Sequence, residues 1–299
     1  MSESTIVLGA NQYGKAEVRL VRITRDTARH EIEDLNVTSQ LRGDFEAAHI
    51  VGDNAHVVAT DTQKNTVYAL AKDGVGAPED FLLRLGQHFI DDFDWVSGGR
   101  WAAEKYSWNR IEVNGAGHDH SFVRGGTEAR TAVVTLDNGE ATVIAGLTDL
   151  AVLKSTGSKF TGFPHDKYTT LEEATDRILA TSVTARWRYN TLGLDYDQLF
   201  VGVRAVMLQS FATVHSLALQ QSLFQMGKAV LEAYPEIDEI RFSMPNIHNF
   251  LVDLSPFGLD NPGEVFFASD RPYGLIEATV QRDNTTDAGR AWEGIAGFC

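Results

Sequence analysis

The sequence predicts an α+β fold in which antiparallel sheets carry helices on one face. Strand-like segments occur in adjacent pairs, and the clearest pair flanks Asn138-Gly139, a dipeptide that favours a two-residue hairpin turn. The order ββααββ occurs twice, because FLLRLGQHFIDDFDWV and LFQMGKAVLEAYPEIDEIRF each run from an amphipathic helix through an acidic turn into a strand. We therefore expect a duplicated unit, with one repeat at residues 1–116 and a second at 117–299 that includes a C-terminal tail.

The first repeat is predicted to begin with a hairpin and to continue with helices. Residues 17–23 alternate charged and aliphatic side chains, and residues 31–41 form a second extended stretch beyond the turn segment RDTAR. A short helix is expected at residues 64–72. A firmer helix begins at Pro78, because proline is tolerated in a first helical turn and the acidic pair after it favours the positive helix end. The repeat closes with DWVSGGRWAAEKYSWNRIEV, which predicts two strands that turn near the glycine pair.

The second repeat opens with the hairpin at Asn138-Gly139 and continues with a helix from Thr170. Thr170 and Glu173 have the spacing of a capping box, and apolar residues follow at helical intervals. After the short strand ARWRY, residues 195–234 are predicted to be helical, with a break near Ser216, which could cap a new helix. The segment EIRFSMPNIHNFLVDL then predicts two closing strands around its Pro-Asn pair.

Composition excludes several classes of protein. The formal charge is −15, from 41 acidic and 26 basic side chains, and such a surface repels nucleic acid and anionic membranes. The single cysteine, Cys299, excludes an intrachain disulfide and any multi-cysteine metal site. No signal peptide, membrane-length apolar run or C-terminal Ser-Lys-Leu peroxisomal signal is found, so we expect a cytoplasmic protein.

The common catalytic motifs are missing from the sequence. It contains no phosphate-binding loop, no dinucleotide-binding glycine motif, no zinc-protease motif and no serine nucleophile elbow. His118 and His120 are separated only by Asp119, which allows a metal pair on a strand, although a solvated turn is the commoner structure for such a segment. The residues alone therefore predict a two-repeat α+β protein and leave its chemistry open.

Four stretches together resemble the urate oxidase (uricase) family, in its bacterial type. They occur in the family's order and spacing: NQYGKAEVRLVRITRD, VATDTQKNTVYALAK, LKSTGSKFTGFPHDKYTTLEEATDRIL and RFSMPNIHNFLVDL. The resemblance implies a tandem tunnelling fold (T-fold), a tunnel-shaped homotetramer and active sites between subunits. It also implies that urate, dioxygen and water are converted to 5-hydroxyisourate and hydrogen peroxide with no metal or organic cofactor.

The resemblance also implies which residues bind the purine. Phe160 matches the ring on which urate stacks. Arg177 matches the arginine whose two-pronged guanidinium binds one edge of the purine, and Gln220 matches the glutamine at the opposite edge. Leu219 contributes only its backbone N–H, and Asp61 binds the purine chiefly through its own backbone N–H.

A second set of residues matches the family's proton relay and oxygen site. Lys15 and Thr60 resemble the catalytic pair, in which a lysine that can lose its proton activates a threonine hydroxyl. His248 resembles the histidine that extends this relay. Asn246 resembles the residue that holds dioxygen or the attacking water over the ring, and Thr60 also contacts the substrate. A strand would place Asn246 and His248 on the same face.

In the family, Lys15 and Thr60 belong to one subunit and Phe160, Arg177, Gln220 and Asn246 to its neighbour. A monomer would then be inactive. Because the net charge is negative and the substrate is an anion, we expect a pocket that is locally positive. Two alternatives stay open: a metal-dependent T-fold enzyme acting on purines or pterins, and a urate-binding protein without catalytic activity.

Overall fold

The structure is a computed structural model that describes residues 6–298, so Cys299 lies outside it. The described part contains eight strands, five α-helices and one short 3-10 helix at Ser255–Phe257, which confirms the α+β class; the strands and α-helices are named here. In chain order they are β1 (Tyr13–Thr24), β2 (Glu31–Gly43), α1 (Glu46–Ile50), α2 (Thr60–Lys72), α3 (Pro78–Asp92), β3 (Val96–Val113), β4 (Ala116–Asp137), β5 (Glu140–Lys154), β6 (Leu179–Tyr189), α4 (Tyr196–Thr213), α5 (Leu219–Ala233), β7 (Ile237–Leu251) and β8 (Phe266–Gln281). No helix of residues 6–298 is both long and apolar enough to cross a membrane.

The chain forms two compact units. The first consists of residues up to 145 together with 288–293, and the second of residues 146–287 together with 294 onwards. This division by compactness does not test the predicted repeat boundary near residue 117, which stays a prediction.

In the first unit, β1, β2, β3 and β4 pair antiparallel in chain order, and α3 packs on β3 and β4. The core lies between the helix and the sheet, where the side chains of Phe81, Phe89 and Trp101 are fully buried. In the second unit, β6, β7 and β8 pair antiparallel and α5 packs on β7 and β8. Its core is built around Trp187 and Phe242.

The structure confirms three of the local predictions made for residues before 150. The β1–β2 hairpin forms, and α3 begins at Pro78 with Glu79 and Asp80 in its first turn. The Asn138-Gly139 turn links β4 to β5, and both residues have the positive φ angles, 50° and 84°, that this type of turn requires.

The prediction of a turn at Gly98-Gly99 is wrong, because β3 runs without interruption from Val96 to Val113. The glycines instead allow the neighbouring strands to approach closely. A Cβ atom at residue 98 would lie 2.3 Å from the carbonyl oxygen of Leu136, and one at residue 99 would lie 2.5 Å from that of Gln40. The absence of a side chain is needed here for packing and not for a turn.

The helix predicted from Thr170 is also wrong, since residues 170–178 contain no helix. Glu173 does not cap Thr170, because its carboxylate accepts a hydrogen bond from the backbone N–H of Gly162 at 2.7 Å. Ala174 forms an isolated antiparallel bridge with Phe160. Long-range hydrogen bonds therefore replace the local helical ones that the apolar spacing favours.

Residues 195–234 form two helices, α4 and α5, so the predicted break near Ser216 is confirmed. Ser216 is not the cap: the N-cap of α5 is Ala218, and the Ser216 hydroxyl donates to the Ala218 carbonyl oxygen at 3.1 Å. Nor does the chain turn at Pro245-Asn246. The strand β7 continues through both residues and pairs with β8, which the sequence patterns did not predict.

Candidate active site

Six of the nine residues that the sequence singles out line one cavity of about 400 Å³ in the second unit. They come from a loop, a segment before β6, the start of α5, and β7: Phe160, Arg177, Leu219, Gln220, Asn246 and His248. Aromatic and aliphatic side chains complete the wall, namely Leu171, Phe250 and Ile276. An apolar cavity with a few convergent polar groups is the usual form of a small-molecule site.

Phe160 is fixed by backbone pairing on one side and by ring contacts on the other. Its N–H donates to the Ala174 carbonyl at 2.8 Å, and the Ala174 N–H returns a bond of 3.0 Å. The Phe163 ring stacks on Phe160 with the two centroids 4.9 Å apart and the planes 12° from parallel. The half-buried Phe160 ring is thus held as one wall of the cavity.

Of the described residues that line this cavity, Arg177 is the one with a formally charged side chain. Its guanidinium carbon lies 5.1 Å from the centroid of the Phe160 ring, and its buried Nε atom has no hydrogen-bond partner in the part of the chain that the structure describes. Among residues 6–298, no carboxylate forms an ion pair with it. Burial lowers the pKa of Arg177, but an arginine in a protein stays protonated at neutral pH. The group is therefore a half-buried cation ready to bind an anion.

Leu219 and Gln220 are the first two residues of α5, whose N-cap, Ala218, offers no side-chain acceptor. The backbone N–H groups of a first helical turn have no intrahelical acceptor, so they can bind a carbonyl oxygen or an anion. The side-chain amides of the adjacent Gln220 and Gln221 differ in their hydrogen bonding. The Gln221 side chain accepts a bond from the Leu217 N–H at 2.7 Å, whereas the exposed Gln220 amide has no partner among the described residues.

Asn246 and His248 lie two residues apart on β7, and both line the cavity, as expected for alternate residues of a strand. The pairing of β7 with β8 shifts register between these two residues: Asn246 is opposite Gly274, and His248 is opposite Ser269. A larger cavity of about 720 Å³, also in the second unit, is lined by these two residues and also by Phe160 and Arg177. It additionally has three carboxylates on its wall, those of Glu172, Glu173 and Asp176.

The other three predicted residues, Lys15, Thr60 and Asp61, belong to the first unit. The helix α2 begins at Thr60, four residues before its predicted start, so Thr60 and Asp61 occupy its first turn. Their backbone N–H groups lie at the positive end of the helix, where they have no intrahelical acceptor.

The Asp61 carboxylate is occupied by side chains of its own helix. Lys64 forms a hydrogen bond and ion pair with it, and the Asn65 amide donates to it at 3.0 Å. These groups lower the pKa of Asp61, with Lys64 as the main cause and the charge of Lys15 a smaller one. The side chain of Asp61 is therefore engaged within its own helix, whereas its backbone N–H has no intrahelical acceptor.

Lys15 follows Gly14 on β1, at a point where the two strands are unusually close. A Cβ atom at residue 14 would lie 1.8 Å from the carbonyl oxygen of Ser39 on β2. The register of β1 against β2 shifts just after Lys15, and Glu17 adopts a φ of 55°. This local bulge is the kind of irregularity that re-aims a side chain at a functional position.

His118 and His120, the candidate metal pair, lie on β4 in the first unit. The rings of His118 and His120 lie 4.5 Å apart, but among residues 6–298 no group of three or more ligating side chains could hold a metal ion. The Asp119 carboxylate between them pairs instead with Arg29 at 3.1 Å.

The comparisons with known proteins agree on one family. The family model named Uricase matches residues 11–135 and 143–277. A protein named Uricase from Arthrobacter globiformis is 65% identical over 294 residues, which are 98% of this chain and 96% of that protein. A protein of the same name from Dictyostelium discoideum is 38% identical, with 92% of this chain and 97% of that protein covered.

The solved structures agree with the sequences. The crystal structure of Uricase from Arthrobacter globiformis matches with a TM-score of 0.92 at 64% identity, covering 97% of this chain and 99% of that one. A crystal structure of Bacillus sp. TB-90 urate oxidase matches with a TM-score of 0.78 at 23% identity, covering 91% of this chain and all of that one. At that identity the second match shows the fold alone.

Proposed function

Since the chain belongs to the uricase family and is a urate oxidase, we propose that it converts urate, dioxygen and water to 5-hydroxyisourate and hydrogen peroxide without a cofactor. In this reaction, two electrons pass from the purine to dioxygen, which becomes hydrogen peroxide, and the oxygen atom of water enters the purine. The proposal places this reaction in urate catabolism.

The observation that carries this proposal is the Arg177 guanidinium beside the Phe160 ring, with no ion-pair partner among the described residues. Urate is a flat anion, so it needs an aromatic surface for its face and a cation for its edge. Both groups line one cavity of the described chain. The free amide of Gln220 and the first-turn N–H groups of α5 supply donors and an acceptor for the opposite edge.

In our proposal, the relay consists of Lys15, Thr60 and His248. Lys15 removes a proton from the Thr60 hydroxyl, which in turn takes one from the purine, and His248 links Lys15 to exchange with solvent. Asn246 holds first dioxygen and then the attacking water above the ring. The Asp61 N–H at the positive end of α2 binds a purine oxygen, since its carboxylate is already occupied by Lys64 and Asn65.

We also propose a homotetramer with its active sites at the interfaces between subunits. In support, the chain belongs to the uricase family, and the resemblance to that family implies a homotetramer with its sites between subunits. A cytoplasmic location likewise stays a proposal, which fractionation of the native cells tests.

The reaction is tested by following the loss of near-ultraviolet absorbance of urate in buffer that contains a metal chelator, with peroxide assayed in parallel. We expect decay that requires dioxygen and yields one peroxide per urate. Activity that disappears with the chelator and returns with a metal would overturn the cofactor-free proposal. Urate binding by a folded tetramer with no decay would identify a binding protein instead of an enzyme.

The stacking role of Phe160 is tested by Phe160→Leu and Phe160→Tyr. Leucine keeps the apolar contact and loses the aromatic face, so we expect the Kd for urate to rise about fivefold, the equivalent of about 1 kcal/mol of stacking. Tyrosine keeps the face and should leave Kd within about twofold of the parent value. Equal affinities in all three proteins, measured by calorimetry, would show that urate does not stack on this ring.

A further inference from the structure

The loop of Phe160 and the segment of Arg177 are joined by one carboxylate that the proposed mechanism does not use. Asp176 accepts three hydrogen bonds from consecutive residues of the turn 156–158. The Thr156 hydroxyl donates to Oδ2 at 2.6 Å, and the backbone N–H groups of Gly157 and Ser158 donate to Oδ1 at 3.0 and 3.4 Å. These bonds lower the pKa of Asp176, so the group is a carboxylate at neutral pH.

Both backbone groups of Ser158 form hydrogen bonds with the adjacent residues Asp176 and Arg177. Its N–H donates to Asp176, and its carbonyl oxygen accepts from the Arg177 N–H at 2.8 Å. Two residues further on, Phe160 pairs with Ala174. The carboxylate therefore closes a hydrogen-bonded frame that joins the backbone of the Phe160 loop to the backbone of the Arg177 segment.

The opposite side of the same turn is joined to the segment before α5. The Ser216 N–H donates to the Gly157 carbonyl at 2.9 Å, and the Lys159 N–H donates to the Ser216 carbonyl at 2.8 Å. The Ser216 hydroxyl accepts a bond from Ser222 of α5 at 2.8 Å. The turn thus lies between the two segments that carry Arg177 and Gln220.

Asp176 is adjacent to Arg177 in the chain, yet the two side chains form no ion pair. With its lone pairs occupied by the turn, the carboxylate does not compete for the guanidinium. Arg177 is left with the Phe160 ring as its neighbour and with an unpartnered Nε atom.

We propose that Asp176 is a positioning residue for purine binding, which sets the distance between Arg177 and Phe160 by holding the turn 156–158. The inference rests on the proposed function and deepens it. The relative placement of a cation and a stacking surface determines how well both contact one ligand at once.

The test is Asp176→Asn, which keeps the size of the side chain but replaces the charged acceptor with a neutral amide. Its one oxygen can accept from the backbone N–H groups of Gly157 and Ser158 only as a neutral acceptor, and its N–H₂ group can meet the Thr156 hydroxyl only if that hydroxyl turns from donor to acceptor. We expect KM for urate and the Kd for xanthine, a purine that serves as an unreacted probe, to rise about tenfold, and kcat to change less than about threefold. Thr156→Val removes one of the three bonds and should raise KM about threefold, whereas Thr156→Ser restores the donor and the parent KM.

The matched control is Asp253→Asn. Asp253 is also an exposed carboxylate that accepts a backbone bond, from Ser255 at 2.9 Å, and hydrogen bonds lower its pKa too, but it lines neither cavity. This variant should leave KM unchanged.

A double-mutant cycle with Arg177→Gln separates positioning from general stability. If Asp176 acts through Arg177, Asp176→Asn adds less than a twofold increase in KM to the Arg177→Gln background. A full tenfold effect in both backgrounds, or a lower Tm with an unchanged KM, would overturn the inference. Xanthine binding is measured independently of catalysis, so weaker binding in Asp176→Asn supports the inference even if the parent protein does not oxidise urate.

Discussion

Replacement of Arg177 by glutamine is expected to lower kcat/KM for urate by about 150-fold, mainly through KM. The half-buried guanidinium has no carboxylate partner among residues 6–298, so the bound anion is its counterion in our proposal. Removing one partner of such a pair costs about 3 kcal/mol, because the other charge loses both its hydrogen bonds and its neutralisation. Because the interaction forms in the ground state, kcat should change far less than KM.

Two further variants make this result specific. Arg177→Lys keeps the charge but not the two-pronged geometry, so its loss should be intermediate. Arg84→Gln is the matched control, since Arg84 also lies over a phenylalanine ring, that of Phe81 at 5.7 Å, but in the other compact unit. A KM for Arg177→Gln equal to that of Arg84→Gln would exclude Arg177 from the binding site.

Replacement of Lys15 by methionine should lower kcat by about 10²- to 10⁴-fold, the usual contribution of a positioned proton-transfer group, and leave urate binding nearly unchanged. Methionine has a similar length and no amine, so the substitution removes the proton-transfer group with little change in side-chain size. Lys228→Met, on the exposed surface of α5, is the control and should retain full activity. A Lys15→Met protein with parental kcat would remove the lysine from the relay.

The same variant tests whether the sites are shared between subunits. If Lys15 and Arg177 reach each site from different chains, co-expression of Lys15→Met with Arg177→Gln should restore activity. When equal amounts of the two variants assemble at random, about a quarter of the sites contain both an intact Lys15 and an intact Arg177. Light scattering checks that each sample is a tetramer. The control is a mixture of the two separately purified variants under conditions in which their subunits do not exchange. A co-expressed tetramer without activity would show that each site is built from a single chain.

The sequence patterns succeeded where neighbouring residues alone decide the structure. The turn at Asn138-Gly139 and the start of α3 at Pro78 follow from the backbone preferences of a few adjacent residues. The same patterns failed at Thr170 and at Gly98-Gly99, where contacts with distant strands and loops decide. Helical propensity differs between residues by tenths of a kcal/mol, which a few long-range hydrogen bonds outweigh.

For the candidate site, the sequence by itself determined which side chains are present and, through four stretches in register, the family that they resemble. Only the tertiary structure decided that Phe160, Arg177, Gln220 and Asn246 line one cavity, and that Asp176 joins the Phe160 loop to the Arg177 segment. It also decided that no carboxylate of residues 6–298 pairs with Arg177. The physical reason is the length scale: periodicity within a strand or helix relates residues a few positions apart, whereas these groups lie up to 86 positions apart in the chain. Their convergence depends on how β7, α5 and two loops pack together, which no local pattern contains.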